Sequence, residues 1–257
     1  MYLPCQFSPL RVSSVVMGVG KELIACNLRR IRQEIEAACD RCGRSPGEVT
    51  LVAVTKSGDL QDIRDLVELG VCDLAESRPQ QLIQRVRELE GCPGGPPAAA
   101  PVRWHMVGHL QRNKVRHVLE VSRIIHSVDS LRLAEDINTR CDRMGIRADI
   151  MLEVNCSNEP QKHGCAVAAA VHLAEMVCTL PQVRLVGLMT MASLGEQAEQ
   201  ARAAFTRLRE IFDEMRHHHL GDAHLAHLSM GMSGDFGVAI EEGATMVRIG
   251  TALFERS

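Results

Sequence analysis

Short apolar runs alternate eight times with longer amphipathic segments along this chain, and few folds accept that pattern. Strands are expected over Leu51–Val54, Val71–Ala75, Val102–Val107, Ile124–Ser127, Ile150–Val154 and Leu185–Thr190. A short one ends near Ser229, and the last spans Met246–Ile249. Helices are expected over Leu60–Leu69, with Asp59 as its cap, and over Gln80–Glu90, Gln111–Val121 and Leu131–Met144. Further helices are expected over Ala166–Leu180, Gln197–His218 and Phe236–Glu242. In the long helix, Ala204, Phe205, Leu208, Ile211, Phe212 and Met215 recur at helical spacing. Eight strands in 257 residues fit a single (β/α)8 barrel of the TIM type; an open doubly wound sheet more often has five or six. The chain ends soon after the eighth strand, so one outer helix is missing. Residues 21–42 supply it. Ile24, Leu28, Ile31, Ile35 and Ala38 recur at steps of four and three, an apolar stripe opposite a charged face.

Residues 1–20 read as an irregular extension without a convincing cleavage site, with Met17 a second candidate start, and residues 21–257 as the barrel. Residues 91–101, rich in Gly, Pro and Ala, join a helix to a strand and so belong at the barrel's bottom face. A net charge of -3 provides no field for nucleic acid or an anionic membrane, and one Trp, one Tyr and five Phe provide no base-stacking surface. No apolar run reaches the ~20 residues a membrane helix needs. A cytoplasmic protein is expected, with its ten cysteines reduced. Cys39 and Cys42 have the spacing of half a zinc site, but no second pair follows. His217, His218 and His219 end a polar helix and point in different directions. No metal site is assigned.

The barrel reading gives the strand ends a purpose, because barrel chemistry lies at the C-terminal ends of strands and phosphate is commonly held after strands seven and eight. By this count those turns are Ser229–Asp235 and Gly250–Thr251, rich in glycine, hydroxyl and backbone N–H groups. Lys56 follows strand one on the same face, and Arg248 ends strand eight. A free lysine amine titrates near ~10.4. Desolvation in a barrel mouth, with Arg248 nearby, would lower that value and favour Schiff-base formation. A lysine, a phosphate cradle and an arginine on one face suggest pyridoxal 5'-phosphate.

From Glu22 to Phe254 the chain resembles the pyridoxal phosphate homeostasis proteins, also called YggS-type or proline synthetase co-transcribed proteins. The resemblance rests on Leu51–Lys56, on Trp104–Gln111 with Asn113 and Lys114, and on His126–Ser130. It also rests on Val154–Asn155 with Lys162–Gly164, on Gly187–Thr190, on Leu228–Asp235 and on Val247–Thr251. It implies a barrel of the alanine racemase type, with Lys56 as the Schiff-base residue and Arg248 beside the pyridine nitrogen. It further implies Ser229, Gly250 and Thr251 around the phosphate, with Ser77 and Met189 completing the cofactor contacts. The chain reads Leu74-Ala75-Glu76-Ser77-Arg78 where the family usually reads Phe-Gly-Glu-Asn-Tyr, so Ser77 stands for an asparagine near the cofactor. Trp104 and Met106 share one strand face and His105 the other, so only one set points into the barrel.

An arginine against the pyridine nitrogen keeps it unprotonated, and the ring is then a weak electron sink. The alanine racemase type draws a second acid–base tyrosine from another domain, whereas the only tyrosine here is Tyr2. The resemblance therefore implies a carrier and regulator of vitamin B6 and amino-acid balance without established turnover, with recipient apo-enzymes as partners. Two other readings stay open. One is a pyridoxal-phosphate racemase using Lys56 and an unidentified second base. The other is a barrel for a different phosphate ligand, in which Lys56 is only a charge partner.

Overall fold

All eight expected strands form, and each pairs in parallel with the next. They are β1 (Thr50–Val54), β2 (Asp73–Glu76), β3 (Arg103–Met106), β4 (Ile124–Val128), β5 (Ala148–Asn155), β6 (Val183–Met189), β7 (His227–Ser229) and β8 (Met246–Ile249). β8 pairs with β1, Thr50 opposite Met246 and Ala53 opposite Ile249, which closes the sheet into a barrel. The computed structural model describes residues 18–91, 101–157, 159, 161–192 and 198–256. The expectations for residues 1–17 and for the low-complexity stretch 92–100 lie outside the described residues.

Both faces of these strands are covered, which is why they read as continuous apolar runs. Alternate residues divide between two cores. Val52, Val54, Ala75, Met151, Met189 and Met246 fill the barrel, while Ala53, Leu74, Ile150, Leu188 and Val247 meet the helices outside. Trp104 and Met106 belong to the outer core, so His105 is the member of β3 that points inward.

The helices are α1 (Lys21–Cys42), α2 (Leu60–Glu68), α3 (Pro79–Glu90), α4 (Val115–Leu119), α5 (Leu131–Met144), α6 (Ala170–Cys178), α7 (Arg202–His217), α8 (Phe236–Glu241) and α9 (Thr251–Phe254). The stripe on α1 is buried, and the helix packs against α2, α8 and α9 in the gap beside β8. It stops at Gly43, which adopts φ 68° and returns its N–H to the carbonyls of Asp40 and Cys39. Asn27 of α1 donates to the carbonyl oxygens of Leu253 and Glu255, at 3.1 and 3.0 Å. Asp59 caps α2 as expected, accepting from the N–H of Asp62 at 2.9 Å.

Several boundaries differ from the sequence reading. The helix expected from Ala166 begins at Ala170, because Cys165–Ala166 add a two-residue strand to the end of β5 and give its backbone partners. The helix expected over 111–121 tightens into a 3-10 turn over Arg112–Lys114 before α4. After β8 a short helix not expected from the sequence, α9, opens at Thr251 and packs on α1.

Candidate functional site

The ends of β1, β7 and β8 meet around a cavity of about 550 Å³, a size usual for a cofactor site. Lys56, Ser77, Arg248, Gly250 and Thr251 all line it. After β1 the backbone tightens into a 3-10 turn, Thr55–Ser57, which carries Lys56 to the mouth. Thr55 anchors that turn from below: it is buried, and its hydroxyl donates to Glu76 Oε1 at 2.6 Å. Lys56 itself is exposed.

The two turns expected to hold phosphate are tied to each other. The Arg248 N–H donates to the Gly231 carbonyl at 3.0 Å, and the Ala252 N–H donates to Ser233 Oγ at 3.3 Å. Gly250 runs against β1 so closely that a Cβ there would lie 3.2 Å from the Val54 carbonyl oxygen. Ser233 and Gly234 line the cavity beside Thr251. Hydroxyl and backbone N–H groups from two turns, facing a lysine and an arginine, form a donor set suited to a phosphate monoester on an aldehyde-bearing ring.

Two expected residues sit elsewhere. Met189 is wholly buried in the inner core, and Met191, two residues on, forms the cavity wall. Both lie on one face of the same strand direction, and only depth along the barrel axis separates them. Ser229 is also wholly buried and lies beneath the cavity rather than in its wall. Its hydroxyl is taken up inside the barrel. Arg248 Nη1 donates to Ser229 Oγ at 2.7 Å, and Nη2 donates to the Thr190 carbonyl at 2.9 Å. The hydroxyl that reaches the cavity from this turn is Ser233, which sequence reasoning passed over although it stands in the same motif.

Ser229 is also one end of a buried polar chain that nothing in the sequence announced. His126 Nδ1 lies 2.8 Å from Ser229 Oγ, and His126 Nε2 lies 2.8 Å from His105 Nδ1. His105 Nε2 lies 2.9 Å from Asp73 Oδ1, and Arg103 holds the other Asp73 oxygen at 2.6 Å. Burial pushes His126 well below the usual imidazole range, and the charges of His105 and Arg248 add to that effect. One assignment of donors satisfies every bond. Arg248 donates to Ser229, Ser229 to His126, His126 to His105, and His105 to the Asp73 carboxylate. The guanidinium at the top is thereby oriented by a carboxylate at the bottom of the barrel.

Arg248 is 4% exposed, and burial lowers it to about 10, opposed by Glu153 and Asp235. It is still a cation at neutral pH. Glu153, buried on β5, is raised to about 7 by burial and by the charge of Asp129, against the pull of Arg248.

Residues 26–257 match the alanine racemase N-terminal domain family. The pyridoxal phosphate homeostasis protein of Aquifex aeolicus is 37% identical over 231 residues, 90% of this chain and 97% of that protein. PipY of Synechococcus elongatus, solved with PLP bound, superposes with a TM-score of 0.76 at 33% identity, covering 90% of this chain and all of PipY. An alanine racemase of Clostridium difficile shares the fold, with a TM-score of 0.68 at 15% identity; the match covers 92% of this chain and 56% of that one. With its closed barrel, its lysine after strand one and its paired turns after strands seven and eight, this chain belongs to the pyridoxal phosphate homeostasis protein family.

Proposed function

We propose that this chain binds pyridoxal 5'-phosphate through Lys56 and acts in the cytoplasm as a carrier and buffer of vitamin B6, delivering the cofactor to recipient apo-enzymes without turnover of its own. The observation that carries the reading is the convergence of Lys56, Arg248 and the two tied turns on one cavity of suitable volume. PipY, at 33% identity, was solved with PLP bound, and the relatives at 30–38% identity are named as homeostasis proteins. Gly250, Thr251 and Ser233 would hold the phosphate, Arg248 would face the pyridine nitrogen, and Ser77 would lie toward the ring's oxygen side.

Bound pyridoxal phosphate supplies an electron sink for charge developing at an amino-acid Cα. Arg248 limits that sink. A permanent donor at the ring nitrogen leaves no carboxylate there to stabilise a pyridinium. The described residues contain no tyrosine to serve as a second acid–base group. Lys114 and Lys162 do not line the cavity, and Lys162 pairs with Glu159 at 2.6 Å.

Borohydride reduction of the cofactor-loaded protein, followed by peptide mapping, tests the assignment. Label confined to Lys56 is the expected result, and label on Lys114 or Lys162 would refute it. Exchange of the alanine or serine Cα proton at an enzymatic rate would replace the carrier reading with the racemase one.

A further inference from the structure

Beside the cofactor cavity, three loops bring His109, Asp129 and His163 together. His109 follows β3, Asp129 follows β4, and His163 lies between β5 and α6. Their ligand atoms all lie within 4.8 Å of one another. The two imidazoles stack with centroids 4.0 Å apart and planes 12° from parallel, so their nitrogens lie side by side. His109 Nδ1 stands 3.4 Å from Asp129 Oδ2, too far for a strong hydrogen bond. Ser130 Oγ donates to the other Asp129 oxygen at 3.0 Å and fixes the carboxylate. Both imidazoles are exposed, so small rotations bring their nitrogens to the ~2.0–2.1 Å a metal requires.

Glu153 on β5 is buried, and its Oε2 has no hydrogen-bond partner among the described residues. Two imidazoles and one carboxylate, with a serine orienting the carboxylate, are the ligand types of open transition-metal sites.

We propose that His109, Asp129 and His163 bind a divalent first-row transition metal such as zinc or cobalt at the rim of the cofactor cavity. His109 lines that cavity as well, so the ion adds positive charge where an anionic ligand enters. The remaining coordination positions go to water or to that ligand. The site stands independently of what the cavity holds.

The test is titration of the untagged full chain with Co²⁺, followed by visible absorption. A d–d band saturating at one equivalent is expected, without a thiolate charge-transfer band. His109→Ala, His163→Ala and Asp129→Asn should each lower the affinity at least tenfold. Ser130→Ala should lower it by less, and Cys39→Ser with Cys42→Ser should leave it unchanged. Far-UV circular dichroism reports that each variant is folded. Affinity unchanged from the parent in the three ligand variants, a thiolate band, or the absence of a saturating d–d band would overturn the proposal.

Discussion

A single hydroxyl shows how position along the barrel axis assigns chemistry. Ser229 and Ser233 stand four residues apart in one motif, yet the first props Arg248 from inside the barrel and the second faces the cavity. Ser229→Ala would leave Arg248 Nη1 and His126 Nδ1 short of a buried partner, which costs about 1–3 kcal/mol. We expect it to lower denaturant stability by that order while weakening cofactor retention less than Ser233→Ala does. Equilibrium dialysis and urea unfolding on both variants separate the two roles, and the reverse ranking would return the phosphate to Ser229. The buried polar chain also has a pH signature. His126 is held well below its ordinary 6.5, so below about pH 6.5 the unfolded chain binds a proton that the folded one refuses. His126 therefore contributes a loss of stability as pH drops from 7 toward 5, and His126→Gln is expected to lose less stability than the parent over that interval. Glu153 works the other way: raised from 4.5 to about 7, it makes the folded chain bind the extra proton in that interval. Glu153→Gln should accordingly stabilise more at pH 8 than at pH 5. Unfolding curves that run parallel to the parent's across this range in both variants would contradict the assigned shifts.

At the scale of elements, the cavity is made by turns that other elements hold in place. Gly250 sits against β1 at the residue before Thr55, so a side chain there meets backbone rather than a yielding side-chain tip. Gly250→Ala should push the turn after β8 away from the turn that carries Lys56. We expect cofactor affinity to fall about tenfold, which corresponds to roughly 1.4 kcal/mol, with the fold retained by circular dichroism. Unchanged affinity would mean that this close approach is not part of the site. From the outside, Asn27 of α1 secures α9 through two carbonyls at the far end of the sequence. Asn27→Ala is expected to cost about 1–3 kcal/mol and to quicken cofactor loss, because α9 begins at Thr251 in the phosphate turn. Stability loss without any change in cofactor release would uncouple the helix from the site.

At the scale of the molecule, α1 and the four-residue α9 together fill the space that one long helix after β8 would occupy in a barrel with strictly alternating elements. The buried stripe of α1 covers α8 and α9, and Arg44 behind it donates to the carbonyls of Ile240 and Ala244, both at 2.9 Å. A chain beginning at Ser45 should therefore expose the outer face beside β8. Its failure to give a cooperative thermal transition is the expected result, and a folded, cofactor-binding product would show that α1 is dispensable. The amino-acid order by itself determined the barrel: alternating apolar runs and helical stripes name eight strands, and the spacing of Ile24 through Ala38 names the helix that completes the ring. It also put Lys56, Ser77, Arg248, Gly250 and Thr251 on one face, because every parallel strand delivers its following turn to the same end. Met189 against Met191 and Ser229 against Ser233 differ in depth within a closed sheet, and the facing of His105 against Trp104, which the sequence leaves open, is set in the same way by strand register and tilt. The chain from Asp73 to Arg248 and the cluster of His109, Asp129 and His163 join residues from separate strands and loops, so only closure of the barrel could bring them together.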